Sequence, residues 1–159
     1  ARRSLAVGET APSSPREAPV AASGPAAAKR LLLVEDNADN RLLIRSYLKR
    51  EPYVVDEAEN GAIAVSCAGQ RHYDLILMDV QMPVMDGHTA TRAIRDLEAA
   101  TGATPVPIIA LTAHAVKEDM EKSLAAGCTA HLTKPIKKQV LLDALVEHLG
   151  MREAGVAAR

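Results

Sequence analysis

The sequence contains no phenylalanine and no tryptophan, and Tyr47, Tyr53 and Tyr73 are its only other large aromatics. A surface that stacks nucleic-acid bases needs exposed aromatic faces, so that class is disfavoured. A formal net charge of −1 also removes the basic patch by which DNA- or RNA-binding domains are recognised. No apolar run approaches the roughly eighteen residues of a membrane span, and Arg2 and Arg3 are not followed by the apolar region of a secretory signal. Cys67 and Cys128 stand 61 residues apart with no partner motif. They read as small core hydrophobes in a reducing compartment rather than as a disulfide. No GxGxxG or P-loop pattern follows the first apolar run, so no nucleotide fingerprint is present. These absences leave a cytosolic domain that touches neither nucleic acid nor membrane directly.

What is present is aliphatic. With 48% apolar residues and almost no rings, the core of these 159 residues must be built from Leu, Ile, Val, Ala and Met, and the length suits one domain with tails. Residues 1–28 are rich in Ala, Pro, Ser and Gly and hold four of the nine prolines. Such a stretch cannot bury enough surface to offset its ordering entropy, so it is expected to be a disordered linker. Residues 29–150 are expected to form the domain, and 151–159 a disordered tail.

Within the domain, short continuous apolar runs alternate with helical patterns. Leu31–Val34, Tyr53–Val55, Tyr73–Asp79, Pro107–Thr112 and Thr129–Thr133 read as strands. Helices are expected from about Asp39 to Arg50 (Leu43, Ile44, Tyr47 and Leu48 inward), after Asn60-Gly61 (Ile63, Ala64, Cys67), and over roughly 88–100 (Ala90, Ile94, Leu97). A fourth is marked by Val116, Met120 and Leu124 and closed by Gly127, and a last one by Val140, Leu141, Leu145 and Leu149. Strict alternation with short connections implies right-handed crossovers and a parallel sheet covered on both faces.

Leu75-Ile76-Leu77-Met78 runs straight into Asp79, and Pro83 and Asp86-Gly87 break the run beyond it. In open α/β sheets, ligands gather just outside the carboxyl ends of the strands. Four of the five strands end there in a polar or charged group: Glu35-Asp36, Asp79, Thr112 and Lys134. Each has a plain structural explanation when taken singly, as a cap, a turn former or a surface charge. Their coincidence at one sheet edge points to a joint role. Three crowded carboxylates need a counter-charge, and an oxygen-only cluster suits Mg²⁺. A hydroxyl and an ammonium opposite are what a phosphoryl group needs, with Asp79 as the nucleophile that forms an aspartyl-phosphate. His72, His88, His114 and His148 lack metal-ligand spacing and read as structural or surface residues.

From Lys29 to about Leu149 the chain resembles a receiver domain of the response-regulator family. The carriers are Leu-Leu-Val-Glu-Asp-Asn at 32–37, Leu-Ile-Leu-Met-Asp-Val-Gln-Met-Pro-Val-Met-Asp-Gly at 75–87, Ile-Ile-Ala-Leu-Thr-Ala at 108–113 and Leu-Thr-Lys-Pro-Ile at 132–136. The resemblance implies a flavodoxin-like sheet of order 2-1-3-4-5, the order the family's chemotaxis member exemplifies. It implies phosphorylation of Asp79, and Mg²⁺ held by Asp36, Asp79 and the backbone carbonyl of Gln81, with Glu35 acting through water. It assigns the phosphoryl oxygens to the Thr112 hydroxyl, the Ala113 backbone N–H and the Lys134 ammonium, and makes Lys134-Pro135 a cis peptide. The family's switch pairs Thr112 with a Tyr or Phe three residues before the Lys. Here that position is His131, a smaller ring, which favours a domain that relays phosphoryl groups over one that gates a large output surface.

The short tail leaves no room for a DNA-binding output domain, and the linker in front suggests the C-terminal receiver of a hybrid histidine kinase. The implied partner is a phosphohistidine on a histidine kinase or a histidine phosphotransfer domain. Other classes remain open: a stand-alone single-domain response regulator acting by protein–protein interaction, an unphosphorylated interaction module, or a metal-dependent phosphatase. The module usually lacks a carboxylate or the lysine, and the phosphatase needs an Asp where Gln81 stands.

Overall fold

The computed structural model describes residues 28–149, so residues 1–27 of the expected linker and the expected tail at 151–159 lie outside the described residues. Five strands alternate with five helices: β1 Lys29–Val34, α1 Ala38–Leu48, β2 Tyr53–Ala58, α2 Gly61–Gln70, β3 Leu75–Asp79, α3 Gly87–Thr101, β4 Ile108–Thr112, α4 Lys117–Ala126, β5 Ala130–Thr133 and α5 Lys138–Leu149. All neighbouring strands are parallel, and the sheet order is β2-β1-β3-β4-β5. This is the doubly wound, flavodoxin-like topology.

The continuous apolar runs are explained by the pleat, which sends alternate side chains to opposite faces. Leu31, Leu33, Leu75, Leu77, Ile109 and Leu111 pack with Ile44 and Leu48 of α1 and with Leu141, Leu145 and Leu149 of α5. Leu32, Val34, Ile76, Met78, Ile108 and Ala110 pack on the other face with Ala64 of α2 and with Ala90 and Ile94 of α3. β3 and β4 are buried along their whole length. Each leucine so buried contributes on the order of 2 kcal/mol, so the three central strands dominate stability.

Helix starts follow the side chains that can cap them. Asn37 accepts from the Asn40 N–H (3.0 Å), Asn60 from Ile63 (2.9 Å) and Asp86 from Thr89 (2.8 Å). Gly102 and Gly127 end α3 and α4 in the left-handed region, at φ 74° and 112°.

Some expected inward faces are outward. Val116 is the residue before α4 and is exposed, as are Leu124, Val140, Ile63 and Leu43. What α4 buries is Ser123 and Ala126, and α5 turns Leu141, Leu145 and Leu149 inward and Val140 outward. Spacing alone permits either of two overlapping stripes, and the angle at which each helix meets the sheet selects one. β2 runs three residues beyond the expected Val55, because Asp56 and Glu57 are matched by Arg30 (3.5 Å), Arg41 (3.3 Å) and Arg45 (3.1 Å). β3 begins at Leu75 rather than Tyr73, whose phenol donates to Asp56 at 2.8 Å. Both cysteines are free: Cys128 is buried and Cys67 half-buried.

Candidate functional site

Register builds the site. Val34 pairs with Met78 and Asp79 with Leu111, so the residue that follows β1, Glu35, arrives beside Asp79, and Thr112 lies one step beyond Leu111. Thr112 pairs in turn with Thr133, which brings Lys134 to the same edge. Its N–H donates to the Thr112 carbonyl at 2.7 Å, and a cis peptide joins it to Pro135.

Glu35 and Asp79 are almost wholly buried, at 1% and 3% exposure, while Asp36 is exposed. The three offer oxygens that lie within 4.8 Å of one another. The Lys134 ammonium reaches into this cluster, 3.0 Å from Glu35 Oε1 and 3.1 Å from Asp79 Oδ1. One ammonium against three carboxylates leaves an excess of negative charge. The contact with Asp79 is a hydrogen bond; the one with Glu35 is an ion pair without hydrogen-bond alignment, so the buried Oε1 has no directed donor.

The electrostatics follow from burial. Asp79 is pushed up to about 7, first by desolvation and then by the Glu35 charge, with Lys134 opposing both. Burial works against the Lys134 ammonium, but the Glu35 and Asp79 carboxylates override it and hold its pKa above the ordinary value. An oxygen-only set with surplus negative charge and an undonated buried oxygen suits a hard cation.

Of the other expected site residues, Gln81 and Ala113 lie on loops at this edge, Thr112 ends β4 and His131 lies within β5. Gln81 is exposed two residues beyond Asp79, and its N–H donates to Asp79 Oδ1 at 3.4 Å. Ala113 is exposed just after β4. The buried Thr112 hydroxyl is engaged by its own loop: it donates to the His114 carbonyl and accepts from the His114 N–H, both at 3.1 Å. His131 is half-buried on β5, paired with Ala110.

Four residues were not legible as site residues. Asn40 Nδ2 and the Asn37 N–H donate to Glu35 Oε2 at 3.3 and 3.2 Å, and the Arg41 guanidinium donates to the Glu35 carbonyl at 2.8 Å. Their one sequence signal is position, in the turn after an acidic pair. Gly87, expected only as a turn former, lies against the Asp79 carbonyl so closely that a Cβ would overlap it.

Comparison with known proteins fits this geometry. Residues 31–146 match the family described as response regulator receiver domain. The chain is 42% identical over 124 residues to the sensor protein GacS of Pseudomonas syringae pv. syringae, covering 78% of this chain and 14% of that protein, so it spans about one seventh of that relative. It is 41% identical, with a TM-score of 0.69, to the receiver domain of the sensor histidine kinase PA1611 from Pseudomonas aeruginosa PAO1, covering 78% of this chain and 99% of that one. That structure holds a magnesium ion coordinated in its active-site cleft. The receiver domain of Saccharomyces cerevisiae Ssk1, crystallised with the histidine phosphotransfer protein Ypd1, is 34% identical with a TM-score of 0.76, covering 82% of this chain and 94% of that one. With five parallel strands in the same order and an acidic cluster at their carboxyl ends, this chain belongs to the response regulator receiver domain family.

Proposed function

We propose that this domain accepts a phosphoryl group on Asp79 in a two-component phosphorelay, from a phosphohistidine on a histidine kinase or a histidine phosphotransfer domain. The observation that carries this reading is a buried carboxylate at the end of the central strand, 3.1 Å from a lysine and within 4.8 Å of two further acids. The PA1611 receiver and the Ssk1–Ypd1 complex support the same reading for the cation and for the donor.

An Asp79 oxygen attacks phosphorus; the new O–P bond forms as the P–N bond of the donor breaks, and the leaving imidazole nitrogen keeps the electron pair and takes up a proton. Both donors to Asp79 engage Oδ1, so Oδ2 is the attacking oxygen. Lys134 stays protonated beside the incoming charge and, with the Thr112 hydroxyl and the Ala113 N–H, receives the phosphoryl oxygens once that hydroxyl leaves His114. Asp36, Asp79 and the Gln81 carbonyl would hold Mg²⁺, with Glu35 acting through water. The bound cation supplies neutralisation of the phosphoryl oxygens and of the crowded acids.

His131 in place of a larger ring favours relay over gating. Amide spectra of the beryllofluoride-treated chain should then shift little across residues 112–135 beyond the pocket, and large shifts through α4 and β5 would sink that part. Residues 29–150 form the receiver unit, joined to the rest of a hybrid histidine kinase through 1–28. Among the described residues, no helix is long and apolar enough to cross a membrane. The free thiols and the phosphohistidine donor fit a cytoplasmic location.

Acetyl phosphate with Mg²⁺ tests the core of the proposal. The chain should gain one hydroxylamine-labile phosphoryl group by intact mass. Asp79→Asn should gain none. Repeated turnover without a bound phosphoryl group, or unchanged labelling of Asp79→Asn, overturns it.

A further inference from the structure

We propose that Asn40 is a positioning residue for the cation site, holding Glu35 so that its Oε1 faces the cluster; this rests on the reading of Glu35, Asp36 and Asp79 as that site. Glu35 is buried beside two other carboxylates, and repulsion alone would swing its side chain away from them. Two neutral donors prevent this. Asn40 Nδ2 and the Asn37 N–H bind Oε2, at 3.3 and 3.2 Å, and leave Oε1 turned toward Lys134 and Asp79. Oε1 is the one buried side-chain oxygen among the described residues with no hydrogen-bond partner.

The main chain of the same residue is held from the next position. Arg41 donates to the Glu35 carbonyl at 2.8 Å and is itself anchored by Glu57 at 3.3 Å. Residues 40 and 41 therefore restrain the two ends of one acid from the first turn of α1. An amide suits position 40 because it donates without adding charge. A lysine there would compete with the cation, and an acid would repel Glu35. Asn40 is itself set by the cap, since its N–H donates to Asn37 Oδ1 at 3.0 Å. Partners that orient a metal-binding acid commonly govern affinity by about tenfold or more.

Calorimetric titration of the full chain with MgCl₂ tests this. Asn40→Ala should weaken Mg²⁺ binding about tenfold. Asn40→Leu, which keeps the side-chain shape and removes the donor, should do the same and serves if the alanine variant does not fold. The double variant Asn40→Ala/Glu35→Gln should bind no more weakly than Glu35→Gln alone, because Asn40 acts through that carboxylate. A merely structural role for Asn40 would add its loss to that of Glu35→Gln. Wild-type affinity in Asn40→Leu, or additive losses in the double variant, overturns the inference alone. A wild-type chain that does not bind Mg²⁺ overturns the cation-site reading and this inference with it.

Discussion

On the β1 side of Asp79, Glu35 follows four fully buried strand residues and is gripped by Asn37, Asn40 and Arg41 through both its carboxylate and its carbonyl. On the β4–β5 side, Thr112 ends an equally buried strand, but its hydroxyl bonds to His114 in its own loop, β5 is only half-buried, and α4 buries just Ser123 and Ala126. The acidic half of the pocket is held in advance, while the half proposed for the phosphoryl oxygens has a hydroxyl bonded within its own loop. An incoming charge can therefore do work on the second half and little on the first. Thin burial also puts α4 among the segments that open at low free-energy cost.

The comparison breaks if stability is spread evenly. Leu77→Ala, at the centre of β3, should cost about 3–5 kcal/mol in denaturant unfolding, whereas Leu124→Ala on exposed α4 should cost under about 0.5 kcal/mol. Hydrogen exchange should follow, with α4 amides exchanging through openings that leave β1 and β3 protected. Similar costs at both positions would contradict the asymmetry.

Gly87→Ala should cost about 2–3 kcal/mol, since its Cβ would overlap the Asp79 carbonyl, a backbone atom that cannot rotate aside. It should also slow labelling by acetyl phosphate, while an alanine at Gly102, which has open space but a φ of 74°, should lower stability without touching labelling.

The acidic half can be sharpened by pH. Asp79 holds its proton more tightly folded than unfolded, at about 7 against an ordinary 3.8. That contribution to stability is fully present below the unfolded value and is lost as pH rises toward 7. Metal-free protein should therefore lose stability through this group between pH 4 and pH 8. Asp79→Asn should remove that part of the slope and be the more stable protein at pH 8. A parallel slope in the variant would mean that the burial cost lies elsewhere.

The smallest effect is expected at Val84. It is largely exposed, with a φ of 70°, and the Met85 N–H donates to the Pro83 carbonyl at 2.7 Å, closing a tight γ-turn. A β-branched residue is strained there. Val84→Gly should raise stability by about 0.5–1 kcal/mol net of the glycine's own entropy. No gain in the unfolding midpoint would place the strain in another residue.

Much of the fold is written locally. Four-residue aliphatic runs, caps at Asn37, Asn60 and Asp86, and Gly127 are read from neighbours, because a strand buried on both faces and a capped helix each leave a short-range pattern. The polar residues assembled at the sheet edge were equally visible, since a charge that ends an apolar run stands out. Which helix faces turned inward was not visible, as Val116, Leu124 and Val140 attest, because a sparse apolar stripe fits two orientations and packing angle chooses between them.

By itself, then, the sequence determined a parallel α/β sheet and the residues that end its strands, through periodicity and chain connectivity. Only the tertiary structure decided that Asn40 and Arg41 serve Glu35, that the Thr112 hydroxyl is tied to His114, and that Asp79 is raised. Those depend on distances between side chains and on the exclusion of water, which no local pattern encodes.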